Sequence, residues 1–140
     1  MKHLSVAWIV ILATTFLAVP VAADDVTGEV EILCSTLRVK ECFADGGCTE
    51  GPPETWNIPR FTQINLDDRT LTTTQGSGES RTTPIEYFER EGQQIALEGA
   101  EDGKAFSILL EADTGFASIA IALQGSVLAG FADCTPLDSD

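Results

Sequence analysis

The chain has 140 residues, 44% of them hydrophobic and 21% charged, and its 22 acidic against eight basic side chains leave a formal charge of −14. That balance repels nucleic acid and anionic lipid and favours basic partners or cations. The only histidine is His3, so Ser-His-Asp and Cys-His sites and histidine-ligated zinc, copper or iron are excluded from everything downstream.

The first 23 residues read as a cleaved secretory signal. Lys2 and His3 supply a short basic start, Leu4 to Val19 is an almost unbroken apolar run, and Pro20 ends it. Val21-Ala22-Ala23 offers the small residues that signal peptidase accepts, so cleavage is expected after Ala23. The run is short for a membrane span, which needs ~20 residues. The expected product is one β-rich domain, 24–140, periplasmic or secreted and free of the membrane. It keeps seven basic side chains against 22 acidic ones, a net charge of −15.

From Val26 the chain alternates. Val26, Val30, Ile32 and Cys34 share one parity and Thr27, Glu29 and Glu31 the other. This predicts a half-buried strand with Cys34 facing inward, continuing through Leu37 and Val39.

The stretch ECFADGGCTEGPPETW, residues 41 to 56, follows. It places Cys42 and Cys48 in a turn-rich loop. Four cysteines in a small exported domain read as two disulfides, and three pairings are possible. Gly46-Gly47 makes a Cys42–Cys48 return easy. Cys34–Cys134 would then tie the first strand to the last. A loop of ~100 residues closed in this way is worth about 4.7 kcal/mol in the chain-entropy model. Zinc is disfavoured because the gaps between the cysteines exceed the usual C-x₂₋₄-C spacing. Thioredoxin-like chemistry is disfavoured because no C-x-x-C opens a helix.

Residues 43 to 60 hold most of the breaks: Gly46-Gly47, Gly51, Pro52-Pro53 and Pro59. A long irregular stretch is where function sits if it sits on a loop. Asp45, Glu50, Glu54 and Trp56 are the candidate contact residues there. Trp is a favoured hot-spot side chain. The plainer role for Trp56 is to cover the core beneath the loop.

Short strand-like runs come next. RFTQINL and RTLTTT flank an Asp67-Asp68 turn, and QGSGES is a flexible loop. TTPIEYFER reads as an edge strand, because Pro84 cannot donate to a ladder. QQIALEG follows a Glu91-Gly92 turn. In the run GKAFSILLEADTGFASIAIALQGSVLAGFADC, alternating strands are separated by Asp113-Thr114-Gly115 and Gln124-Gly125-Ser126. Such spacing predicts an antiparallel meander of seven or eight strands: all-β, a small up-and-down barrel or curled sheet tied by disulfides. Residues 116 to 132 are apolar on both parities, which predicts a central strand pair or a sticky exposed face.

Together, Cys34, Glu41-Cys42, Cys48, the Gly103 to Ile119 hairpin and Cys134 form a layout that resembles uncharacterised small exported β-proteins of proteobacteria. The resemblance implies a β-rich envelope protein and transfers no catalytic residue. Ala132 stands where such proteins often carry glycine.

Carboxylates are the remaining abundant catalytic type. Asp67-Asp68, Glu89/Glu91 and Glu101-Asp102 sit at expected turns, not across a cleft as a glycosidase requires. The calcium-loop pattern is absent. The expected function is therefore a non-catalytic binding or interaction module, without cofactor, metal or nucleic acid, that binds or inhibits a basic protein. The alternatives are a barrel holding a small apolar ligand among Phe106, Phe116 and Phe131, and a carboxylate enzyme. At this length, side chains are expected to fill a barrel interior.

Overall fold

The computed structural model describes residues 26–74 and 80–137. The expected signal, residues 1–23, and most of the QGSGES stretch lie outside the described residues. Ten antiparallel strands form one sheet: β1 (Ile32–Phe43), β2 (Cys48–Gly51), β3 (Phe61–Asn65), β4 (Thr70–Thr73), β5 (Thr82–Pro84), β6 (Tyr87–Glu91), β7 (Gln94–Glu101), β8 (Lys104–Glu111), β9 (Phe116–Leu123) and β10 (Ser126–Pro136). The order is β5-β4-β3-β1-β10-β9-β8-β7-β6, with β2 folded back on β1. Two meanders, β3 to β5 and β6 to β10, thus meet at β1, and the sheet curls into a half-barrel.

The curl follows from one short connection. β5 and β6 are the opposite edges of the sheet, yet only Ile85 and Glu86 separate them in sequence. Ile85 N–H donates to the Arg69 carbonyl at 2.8 Å and Glu86 N–H to the Glu98 carbonyl at 2.9 Å. The expected single strand TTPIEYFER is therefore two strands, broken where the chain steps between edges. Pro84 ends an edge strand, where its missing N–H costs no ladder bond. Gly99 makes the approach possible: a Cβ there would stand 2.7 Å from the Pro84 carbonyl oxygen and 2.5 Å from the Phe106 ring.

Both disulfides follow the register. Cys34 lies directly opposite Cys134 on neighbouring strands β1 and β10, and Cys42 opposite Cys48 in the β1–β2 hairpin. The loop expected to be irregular from 43 to 60 is thus partly ordered, by β2 and by a 3-10 turn at Pro53–Trp56.

Two inward assignments need correction. Val30 is exposed and β1 begins only at Ile32. Gly28, at φ +78°, interrupts the extended chain, and its missing side chain leaves room for Leu66. Leu37 is also exposed, because the ladder shifts by one residue between Thr36 and Arg38. This bulge moves the buried phase of β1 from even positions (Ile32, Cys34, Thr36) to odd (Val39).

The core fills one end of the half-barrel. Ile32, Ile64, Ile95, Leu97 and Leu110 are essentially inaccessible there. Val26 covers them from outside the sheet, its N–H donating to the Ala112 carbonyl at 2.7 Å.

Candidate functional site: the open end and the cysteine loop

The concave face changes character towards the other end of the strands. There Thr36, Thr73, Thr83 and Ala132 take inner positions among the aliphatics. Smaller side chains leave a cavity of about 130 Å³. One wall is Thr36, Ile64 and Leu71; the other is Phe106, Ile108 and Ile119. The expectation that side chains fill the interior thus holds at the packed end and fails at the other, where Asn57, Ile58 and Pro59 border the cavity from outside the strands.

Polar groups border this cavity. Arg81 and Glu101 form an ion pair at 3.2 Å, each side chain about three-quarters buried (27% and 26% exposed). Asp102 and Lys104 stand beside them. Arg81 Nε is itself buried and has no aligned acceptor, so the pair is held by charge and distance rather than by a directed hydrogen bond. Its backbone is fixed: Arg81 N–H donates to Thr73 Oγ1 at 2.8 Å.

Of the three phenylalanines expected around a ligand, only Phe106 lines the cavity. Phe116 and Phe131 are more than half exposed on the convex face. Alternation sets this. Ala117 and Ala132, their neighbours, take the inward positions.

The cysteine loop is a separate region. Every residue from Phe43 to Glu50 is exposed. Asp45 Oδ1 accepts from the Gly47 N–H at 3.0 Å, which shapes the turn. Glu50 pairs with Arg38 at 2.7 Å. Glu54 accepts from Arg60 Nε at 2.6 Å and from Arg60 Nη2 at 3.0 Å, and this contact holds its carboxyl below the usual carboxylate range. Trp56 is half-buried against the β1–β2 hairpin, and its indole N–H donates to Glu41 Oε2 at 2.6 Å. Glu41 Oε1 in turn accepts from Ser126 Oγ at 2.7 Å. The four residues singled out from sequence therefore share one region, but two of the three acids are already engaged by arginines of the same chain.

Sequence reasoning missed Arg81, Glu101 and the threonines. Arg81 adjoins a flexible-looking loop, and Glu101 reads as a turn residue. Only the curl of the sheet brings β5 against β7 and places the two side by side.

Among the described residues, no helix is long and apolar enough to cross a membrane, and the two disulfides indicate an oxidising, extracytoplasmic location. No protein-family model, curated protein or solved structure matches this chain; it is a small all-β protein, a half-barrel tied by two disulfides.

Proposed function

We propose that this is a non-catalytic periplasmic or secreted binding module that takes the apolar end of a small amphipathic molecule into the open end of its half-barrel. The observation that carries this reading is the cavity itself: apolar walls, one end packed shut, and the Arg81–Glu101 ion pair at its border. An apolar cavity of ~150 Å³ holds a benzene-sized body. A cavity of about 130 Å³ therefore suits the last few carbons of an acyl chain or a single ring. A polar head group would lie at this charged border, beside Arg81 and Lys104.

Catalysis is not part of the reading. All four cysteines are disulfide-bonded, the segment after the signal holds no histidine, and Glu101 faces an arginine rather than a second carboxylate.

The test is a titration with hexanoate and with hexanol, followed by methyl NMR. Saturable shifts at Ile108, Ile119 and Ile121, with Ile32 and Ile95 unmoved, are the expected result. Shifts spread evenly over all isoleucines, or none, would overturn it.

A second reading, a basic protein seated on the Phe43–Pro59 loop, is supported by the exposure of that loop and its disulfide tether. A pinned loop loses little entropy on binding. Such a complex should weaken as salt rises and with Glu50→Lys together with Glu54→Lys. An interface unaffected by either change lies elsewhere.

A further inference from the structure

The two disulfides lie on opposite faces of the sheet. Cys34 and Cys134 point inward and are 6% and 8% exposed. The bulge after Thr36 reverses the alternation of β1, so that Val39 is buried and Cys42 falls on the outer parity with Lys40. Cys42 therefore shares the convex face with exposed Val127, its register partner on β10, and Cys48 beside it is exposed. A disulfide exchanges when a thiolate reaches one of its sulfurs, so access decides which of the two bonds reacts. Cys42–Cys48 can be met from solvent. Cys34–Cys134 is reached only when the central β1–β10 seam opens.

The exposed bond anchors more than its own hairpin. β2 pairs with β1 alone. Without the disulfide it is held by four register pairs and by the Arg38–Glu50 ion pair, and exposed pairs of that kind contribute little. The 3-10 turn after it is seated on β2: a Cβ at Gly51 would stand 3.3 Å from the Trp56 ring. From there Trp56 reaches Glu41, and Asn57, Ile58 and Pro59 border the cavity. The far end is fixed by Thr36 N–H, which donates to the Arg60 carbonyl at 2.8 Å. Residues 49–59 thus form a strap beside the cavity with two anchors, of which one is covalent.

We propose that Cys42–Cys48 is a thiol–disulfide exchange site for a protein dithiol, and that its state sets how tightly the strap 49–59 is held at the cavity. One thiolate of the dithiol attacks Cys48 Sγ, on the more exposed residue of the pair, and Cys42 leaves as a thiolate. The second thiolate of the dithiol then attacks its own half of the mixed disulfide, and Cys48 leaves in turn. The dithiol is oxidised to a disulfide, the Cys42–Cys48 bond is reduced by two electrons, and the freed thiolates take protons from water. The buried Cys34–Cys134 bond keeps the two meanders joined throughout. As a control on ligand entry the latch rests on the binding reading above; as an exchange site it does not.

The experiment is a timed reduction of the oxidised protein with dithiothreitol, quenched with iodoacetamide and mapped by mass spectrometry, followed by NMR of the product. Cys42 and Cys48 should become alkylated at least about a hundredfold faster than Cys34 and Cys134, because the buried pair waits for the seam to open. In the selectively reduced protein the Trp56 indole N–H and the Ile58 methyl signals should shift and broaden, while those of Ile32 and Ile95 stay in place. Cys42→Ser together with Cys48→Ser should give the same shifts with no reductant present. Hexanol should leave both of these forms faster than it leaves the oxidised protein. Equal rates of reduction at the two disulfides overturn the proposal. So do Trp56 and Ile58 signals that stay unmoved after selective reduction, or hexanol release at one rate from all three forms. An oxidised protein that takes up no hexanol defeats the binding reading instead, and the alkylation and Trp56 measurements still decide the latch.

Discussion

The packed end and the open end of the half-barrel are built from the same strands only a few residues apart, yet they have opposite properties. At the packed end the inner positions are Ile32, Ile64, Ile95 and Leu110, with Val26 laid across them. At the open end threonines and alanines stand among Leu71, Phe106, Ile108 and Ile119, bordered by Arg81 and Glu101. Strand pairing runs through both, with the β1 bulge beside Thr36 at the open end. The difference lies in inner side-chain volume. A curled sheet can thus keep its stability at one end and an accessible interior at the other.

Truncation at the packed end should break this contrast most severely. Leu97→Ala should cost about 2–5 kcal/mol in urea unfolding, because the surrounding strands cannot collapse on the void. Ile119→Ala, on the cavity wall, should cost clearly less, since it enlarges a space already present. Equal losses at the two positions would mean that the open end is packed in solution.

The disulfide between the two regions comes next. Cys134→Ser should lose about 2–5 kcal/mol, in the range seen when small secreted domains lose a bridge. Cys48→Ser should lose less, because it frees a short hairpin rather than a link with a sequence separation of 100. Thermal unfolding of the two variants side by side measures the difference.

Overfilling sharpens the comparison. Ala112→Leu at the packed end should destabilise by about 1–3 kcal/mol through strain. Ala132→Leu, which points into the cavity, should leave stability nearly unchanged and abolish hexanol uptake. A loss of stability in Ala132→Leu as large as in Ala112→Leu would sink the distinction.

The smallest effect is electrostatic and lies outside both ends. Arg60 holds the Glu54 carboxyl below its ordinary range. Its contribution is therefore present above the unfolded carboxylate range and is lost as pH falls through the depressed folded value. Glu54 is about half exposed, so water and salt screen the pair. The change should be visible in the Arg60 Nε–H signal during an acid titration, and Glu54→Gln should remove that titration step.

Much of the fold was legible in the residues. Strict alternation in β7 to β10, and turns with Gly115 and Gly125 at positive φ, are local signals and need no partner to be read. The cysteine pairing was legible for a similar reason: parity puts Cys34 inward, and two glycines close the other ring. What was not legible depends on relations between distant segments. The bulge at Leu37 depends on how β1 meets β10, and no local pattern announces it. Val30 was misplaced because alternation continues on paper through Gly28, where the backbone turns away. The cavity exists only because β5 comes back to β7. The threonines that line it look, in sequence, like ordinary strand surface.

The seam between β1 and β10 has a consequence for the life of the chain before it is folded. These strands are central to the sheet, and β1 has β3 and β2 as its other neighbours. Until residues 126–136 are available, β1 has no partner on that flank, and the two meanders have nothing to join them. Bringing such distant segments together carries a loop-closure entropy that local hairpins do not, and it delays the last step of assembly. A chain that emerges or is translocated from its N-terminus can therefore form hairpins early, but it cannot lock. Cys34 stays without its mate until the final strand arrives. The fold carries its own checkpoint against premature closure: a truncated product lacking the last strand would keep an open sheet edge and an unpaired thiol, both features by which quality-control proteases and oxidoreductases can recognise an unfinished protein.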